Sequence, residues 1–250
     1  MIPLKTKTEL DIMRENGLLL SGILDGVKRM IRPGVTTLEL DQYLESEIRK
    51  GGAVPAFKGY RGYRASLCAS VNEEVVHGIP SSRRRLKDGD IISLDVGLKK
   101  QGLFSDMAVT VPVGKVSRDV QSFLRISEES LWEAIKNVKP GNRVGDLSHA
   151  VQAYVERHGY SVVRDYVGHG VGRQLHEEPV IPNFGPPHVG PRLEVGMVLA
   201  IEPMVNVGGY EVEVLDDGWT VVTADGSLSA HFEHSVAVTE DGPLVLTLPV

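Results

Sequence analysis

The sequence predicts an α+β fold made of two related halves that pack around a shared sheet. Its hydrophobic pattern gives two helices followed by strands, and the same order then occurs a second time. A shift of 107 residues also aligns single letters of the halves, so that Asp90–Asp95 falls on Met197–Glu202. We therefore predict one domain, 1–250, with halves at approximately 8–113 and 114–250.

Four stretches carry apolar residues at the helical spacing of three and four. The first runs from Thr8, its predicted N-cap, to Ile31, and Pro33-Gly34 ends it. The second runs from Thr37 to Lys50 and stops before Gly51-Gly52. The helical pattern returns in the second half at 120–137 and 144–157.

Strand-like runs of β-branched and apolar residues fill the remainder of each half. The basic run Ser81–Lys87 is short and isolated, and we interpret it as a solvated loop beside a strand. The predicted strands are approximately 66–71, 91–98, 103–111, 161–165, 198–202, 210–214, 220–223 and 230–238.

The composition is typical of a globular protein and argues against several function classes. Hydrophobic residues make up 42% of the 250 residues, charged residues 24%, and the net charge is -6. Because nucleic-acid-binding domains are usually basic, a nucleic-acid substrate is not expected. The single cysteine, Cys68, allows no intrachain disulfide, which fits a reducing compartment. With no signal-peptide core and no bilayer-length apolar run, we predict a cytoplasmic protein without membrane contact.

Two acids stand in the hairpin-like stretch Ile91–Thr110, where Asp95 lies inside an apolar strand and Asp106 beyond the turn. If Lys100 and Gln101 form the turn, the two acids are directly opposite on one face, with Cβ atoms about 5 Å apart. Two carboxylates at that distance repel each other unless a cation lies between them. The alternative is a solvent-exposed acid pair in a slipped register.

Three further segments favour a metal centre over that alternative. His169 and His176 lie in a glycine-rich stretch, where the backbone can approach a site closely. Glu202 lies in an apolar strand, and Glu233 precedes a run of alternating apolar residues. Each segment alone is weak, since a lone histidine is more often a core or surface residue. Together the acids and an imidazole suit a pair of divalent Mn, Fe, Co or Zn ions, which can activate water for hydrolysis.

These residues lie in motifs that resemble the type I methionine aminopeptidases, in their short bacterial form. The resemblance covers nearly the whole chain and is specific because the motifs occur in the same order and spacing. It implies the pita-bread fold, two pseudosymmetric α+β halves around a curved antiparallel sheet, as a single catalytic domain. The matching motifs are Cys68–Pro80, the pair Asp95 and Asp106, Gly168–Gly172, His176-Glu177, Ile201–Pro203 and Ser227–Ser235.

The resemblance implies a role for each metal-binding residue. Asp95 would be the bidentate ligand of one metal, and Asp106 and Glu233 would bridge the two ions. His169 and Glu202 would complete the second site. A water or hydroxide bridging the metals would attack the carbonyl of an N-terminal methionine, with a preference for a small second residue.

The resemblance also implies three catalytic residues. Glu202 would shuttle a proton, His176 would stabilise the oxyanion, and His77 would contact the substrate at the scissile peptide; His77 and His176 thus also bind substrate. Because Ile2 is bulky, the protein would keep its own Met1.

A soft, apolar pocket for the methionine side chain is implied by position. Plain core packing is the alternative for these residues, above all for Leu175. A monovalent cation held by backbone carbonyls is also implied, at Asn72, Glu74 and Ser229. The pocket residues are Phe57, Tyr60, Tyr63, Cys68, Leu175 and Trp219.

The implied partners are the N-termini of nascent polypeptides, with transient ribosome association and a monomeric state. Two other assignments compete. An X-Pro aminopeptidase or prolidase shares the fold but usually carries a separate N-terminal domain. An inactive module of the same fold, used for protein or nucleic-acid binding, would have lost metal ligands.

Overall fold

The computed structural model describes residues 2–248, so the expectation for Met1 lies outside the described residues. Two of the four helices there have the predicted bounds, and the other two differ by one or two residues at each end. None of these helices is long and apolar enough to cross a membrane. The helices are α1 (Lys7–Met30), α2 (Thr37–Lys50), α3 (Arg118–Ile135) and α4 (Val144–Arg157).

Helix α1 begins earlier than predicted because Thr6, not Thr8, is its N-cap. The Thr6 hydroxyl accepts from the Glu9 backbone N–H, and the Glu9 carboxylate accepts from the Thr6 N–H. This reciprocal capping box satisfies two free N–H groups, whereas Thr8 would have had to pair with the shorter Asp11.

The strands are short outside one long hairpin, formed by β4 and β5. A 3-10 turn at Tyr60–Gly62 lies between the first two strands. The strands of the described residues are β1 (Val54–Pro55), β2 (Leu67–Val71), β3 (Glu74–Val76), β4 (Ile91–Lys100), β5 (Leu103–Pro112), β6 (Ser161–Val162), β7 (Gly168–Gly170), β8 (Glu177–Ile181), β9 (Val198–Ile201), β10 (Met204–Asn206), β11 (Val212–Val214), β12 (Val221–Thr223), β13 (Ser229–His231), β14 (Glu233–Thr239) and β15 (Gly242–Val245).

One antiparallel sheet of nine strands joins the two halves of the chain. Its main order is β1-β4-β5-β14-β9-β7-β8, with β2 added on β4 and β15 on β14. Two three-stranded sheets, β13-β10-β6 and β11-β12-β3, lie beside it. The predicted α+β, pita-bread architecture, with its curved antiparallel sheet, is confirmed.

The helices bury one apolar stripe each, and the stripes form a separate core in each half. Leu24 and Leu44, from α1 and α2, pack with Leu94 of β4. Leu131 and Leu147, from α3 and α4, pack with strands of the second half. The helices therefore cover one side of the sheet and leave the other for the site.

Backbone features of the first half recur in the second half at the offset of 107 residues that the sequence indicated. Helix α4 is related to α2 by this offset at both ends. The bridge Thr36–Arg85 recurs as Arg143–Arg192. The hydrogen bond from the Gly34 N–H to Leu86 recurs from Gly141 to Leu193, at 2.8 and 3.0 Å. The boundary between the halves at 113 and 114 stays a prediction.

Candidate metal centre and substrate cavity

The long hairpin carries both aspartates on one face, but in a register that differs from the predicted one. Asp95 lies opposite Ala108, and Asp106 lies opposite Gly97. The turn is at Gln101 and Gly102, with φ of 52° and 82°. A two-residue hairpin turn of this type needs positive φ at both positions, which glycine adopts freely, so the turn forms one residue later than predicted. The predicted face-to-face pairing was therefore wrong. The observed partner of Asp95 is two residues from the predicted one. Because this is an even number, both acids stay on one face, as diagonal neighbours.

Neighbouring strands bring the other acids to the same place. Strand β14 pairs with β5 so that Glu233 also lies opposite Ala108, on the side away from Asp95. Three adjacent strands thus present Asp95, Asp106 and Glu233 toward one cavity.

His169 reaches this cluster from β7, which pairs with β9. The close approach of the backbones depends on glycines, because a Cβ at Gly168 would collide with the Ala200 carbonyl and one at Gly170 with the Glu178 carbonyl. Glu202 follows directly after β9, at the point where Pro203 interrupts the strand.

The ligand atoms of these side chains converge. One donor atom each from Asp106, His169 and Glu233 lies within 4.8 Å of the others. His169 Nε2 is 3.4 Å from Glu202 Oε1 and 4.0 Å from Asp106 Oδ2. Asp95 lines the same cavity.

The buried oxygens of this cluster lack partners, and this fits a bound cation. Asp95 Oδ1, Asp106 Oδ1 and Glu233 Oε1 are buried without a hydrogen bond among residues 2–248. Burial raises the pKa of Asp95 to about 7. Burial, together with the neighbouring acids, also raises the pKa of Asp106 and Glu233 well above the usual value. A divalent cation would remove this penalty, because it favours the charged carboxylates.

The imidazole of His169 has the tautomer that a metal ligand requires. Its Nδ1–H donates to the Gly170 carbonyl at 2.9 Å, and burial lowers its pKa to about 3. The ring is therefore neutral and its Nε2 lone pair faces the acids.

His77 and His176 lie farther along the cavity. Burial lowers the pKa of His77 to about 4, and its ring packs edge-on against Tyr166 and Trp219. His176 Nδ1 is 2.7 Å from the Tyr60 hydroxyl, and its ring centroid is 4.2 Å from that of His169.

The predicted methionine-pocket residues all line the same cavity of about 360 Å³. Four of them, Leu175 included, belong to one buried apolar cluster, and the partly buried Tyr60 and Trp219 pack against it. Tyr63 turns its hydroxyl away, donating to a backbone carbonyl of Leu67 or Gly78 at 3.0 Å, and so presents its ring. Cys68 pairs with Asp95 across β2 and β4, which puts the apolar lobe directly beside the acids.

The residues predicted for a monovalent cation lie near one another. The Ser229 N–H donates to the Asn72 carbonyl at 2.9 Å, and Glu74 accepts from the Val71 N–H. Of the predicted backbone carbonyls, that of Asn72 thus already accepts a hydrogen bond, whereas the Glu74 contact uses its side chain. The cation site stays a prediction.

The sequence reasoning missed His231, which lines the cavity beside the acids. The sequence does contain an indication of this position. His231 is two residues before Glu233, and side chains two positions apart in a β-strand point to the same face. It also missed Tyr166 and Met204, which complete the wall.

A carboxylate cluster on an antiparallel sheet, open to an apolar cavity, defines a metal-dependent hydrolase. The model of metallopeptidase family M24 matches residues 11–240. The chain belongs to this family.

Curated relatives and solved structures show which members of this family the chain resembles. Methionine aminopeptidase 1 of Bacillus subtilis (strain 168) is 56% identical over 247 residues, covering 99% of each chain. The crystal structure of methionine aminopeptidase from Thermotoga maritima has a TM-score of 0.98 at 48% identity and covers 100% of both chains. Prolidase from Pyrococcus furiosus has a TM-score of 0.79 at 23% identity, and the match covers 99% of this chain and 66% of that one, which shows the fold alone.

Proposed function

We propose that this protein is a metal-dependent aminopeptidase that removes the N-terminal methionine from polypeptides. The observation that carries this is a single cavity in which unpartnered buried carboxylates adjoin an apolar lobe. Such a cavity can hold a divalent metal at one end and an unbranched apolar side chain at the other. Protein N-termini are therefore the substrates.

Five residues would hold the metal, as a pair of divalent ions drawn from Mn, Fe, Co or Zn. They are Asp95, Asp106, His169, Glu202 and Glu233. The metal, when bound, supplies a Lewis acid and lowers the pKa of water toward neutrality. The donor set, rich in oxygen with one imidazole, suits several of these ions, so the physiological metal is decided by availability as well as by affinity.

Glu202 is the residue best suited to carry a proton during the reaction. Its side chain is 13% exposed, and desolvation raises its pKa well above the usual value. It lies at the junction of the acids and the cavity, within reach of a water held there. A carboxylate in this place can accept a proton from the attacking water and pass it to the leaving amine.

His176 stabilises the developing oxyanion. If the Tyr60 hydroxyl donates to Nδ1, with which it is in contact at 2.7 Å, the neutral ring carries its proton on Nε2. Nε2–H is then a donor for a substrate oxygen, as oxyanion stabilisation requires. His77, at the other side of the cavity, contacts the substrate at the scissile peptide.

The methionine side chain occupies the apolar lobe. The aromatic rings of Tyr63 and Trp219 pack edge to face, with centroids 5.1 Å apart and an interplanar angle of 70°. They offer edges and faces to a thioether, which makes favourable contacts with aromatic rings. We expect a small second residue to be favoured.

Cleavage of short peptides with a metal panel tests the function. Met-Gly-Met should be hydrolysed after addition of one of the divalent ions, and Xaa-Pro dipeptides should not. Cleavage of the Xaa-Pro dipeptides alone would support the prolidase assignment. Absence of both bound metal and activity would support the inactive module.

We further propose that the protein acts in the cytoplasm as a monomer on nascent chains, with transient ribosome contact. Sedimentation velocity of the purified protein should give a species of 27.3 kDa. Co-sedimentation with ribosomes that falls with rising salt would support the contact.

A further inference from the structure

His231 is a buried imidazole at the cavity that the proposed reaction does not use. Its side chain is 2% exposed. Neither ring nitrogen has a hydrogen-bond partner in the described part of the chain. An unpartnered buried polar group is unfavourable, so its presence in this wall needs a ligand or a partner that forms in the working enzyme.

The backbone of His231 is fixed in place by Thr110. The His231 N–H donates to the Thr110 hydroxyl at 2.8 Å, and this hydroxyl donates to the His231 carbonyl at 2.9 Å. The hydroxyl also contacts Ser93 Oγ at 2.8 Å. These bonds hold the backbone of His231 in the sheet, so its ring enters the cavity from a fixed point.

Glu202 lies between two imidazoles. Its Oε1 is 3.4 Å from His169 Nε2, and its Oε2 is 3.4 Å from His231 Nε2. The two rings differ in one respect. His169 donates its Nδ1–H to the Gly170 carbonyl, which leaves Nε2 without a proton and suited to a metal. His231 has no such acceptor at Nδ1, so its Nε2 is free to carry the proton.

We propose that His231 is a positioning residue that donates a hydrogen bond from Nε2–H to Glu202 Oε2 and so directs Oε1 toward the metal site beside His169. This inference rests on the proposed function. The atoms need to approach from 3.4 Å to about 2.9 Å, which a small rotation of either side chain achieves.

A partner of this kind matters because a metal-binding carboxylate is itself usually hydrogen-bonded. Loss of such a partner typically weakens metal binding by about 10–100-fold. A glutamine at 231 keeps an N–H donor, whereas a leucine fills similar volume without one.

The test measures Mn(II) affinity by isothermal titration of the chelator-treated protein, for the wild type, His231→Gln and His231→Leu. The control is His234→Leu, which removes a partly buried imidazole, one bonded to the Thr247 hydroxyl at 2.8 Å. Circular dichroism melting of every variant reports folding. We expect His231→Leu to raise the Kd by about 10–100-fold, and both His231→Gln and His234→Leu to stay near the wild type. The ratio kcat/KM for Met-Gly-Met should follow the same order.

Two results would overturn the inference while the proposed function stands. An unchanged Kd in folded His231→Leu would show that Glu202 needs no such donor. If His231→Gln binds Mn(II) as weakly as His231→Leu does, the imidazole itself binds the metal. A wild type that neither binds Mn(II) nor cleaves the peptide would overturn the proposed function and this inference together.

Discussion

Asp95 and Glu202 occupy equivalent positions in the two halves, yet their surroundings differ. Asp95 lies inside the unbroken ten-residue strand β4, paired with Cys68 on one side and Ala108 on the other. Glu202 lies in the gap between β9 and β10, because Pro203 has no N–H to continue the ladder. The repeat thus places an acid at the same position in both halves. Only the second acid, Glu202, lies outside the strand ladder, because Pro203 follows it.

Under the proposed function, this difference separates an acid that only binds metal, Asp95, from one that would also move a proton, Glu202. Asp95 is fixed by cross-strand pairing on both sides, as a structural ligand requires. Glu202 has no such ladder and instead contacts His169 and His231, each at 3.4 Å.

The largest effect is expected from Glu202→Gln. Removing the proton carrier should lower kcat by about 10²–10⁴-fold even at saturating metal. Asp95→Asn should instead weaken metal binding, with part of the activity restored by excess metal. Steady-state kinetics over a metal titration separates the two, and equal recovery of both variants would contradict the distinction.

The metal-free protein should lose stability as the pH rises. The folded-state pKa of Asp95 is about 7, above its unfolded value of 3.8. Stability from this group is therefore fully present below about pH 4 and is lost as the pH rises through 7. Thermal melts of chelator-treated protein should show a falling Tm over this range, and metal-loaded protein should not. Parallel curves for both forms would contradict a cation at the acids.

Trp219→Ala should raise the KM for Met-Gly-Met with little change in kcat. The variant removes one face of the apolar lobe, and loss of about 1.4 kcal/mol of binding corresponds to about tenfold. The matched control is Trp132→Ala, a tryptophan that packs on the core of the second half away from the cavity. Similar KM values for the two variants would place the methionine side chain elsewhere.

The smallest effect is expected from the helix caps that differ between the halves. Thr36 caps α2 through its hydroxyl, and its equivalent Arg143 has no side-chain cap bond at α4. Thr36→Ala should cost about 1 kcal/mol of unfolding free energy, and Arg143→Ala less. Urea denaturation measures both. A larger loss in Arg143→Ala would show that the second half depends on this residue in another way.

Much of the site could be predicted because its residues carry local signals. Glycines beside His169, acids within apolar strands and the 107-residue repeat are all visible in the letters. The hairpin register was not, because it depends on which residue reaches positive φ, and Gln101 at 52° is not evident from residue type. His231 was missed because a lone histidine has many ordinary places, and only its neighbours in space distinguish it.

The helices, the repeat and the candidate metal-binding residues follow from residue type and local spacing. Spacing and residue type act over a few positions, and the chain reports them directly. Folding of the whole chain is needed to bring Asp95, Asp106 and Glu233 together across three strands. It also places Glu202 between two imidazoles. Glu233 is more than a hundred positions from both aspartates, and about thirty positions separate Glu202 from each imidazole. Such contacts follow from strand order and register, which arise from packing of the whole sheet.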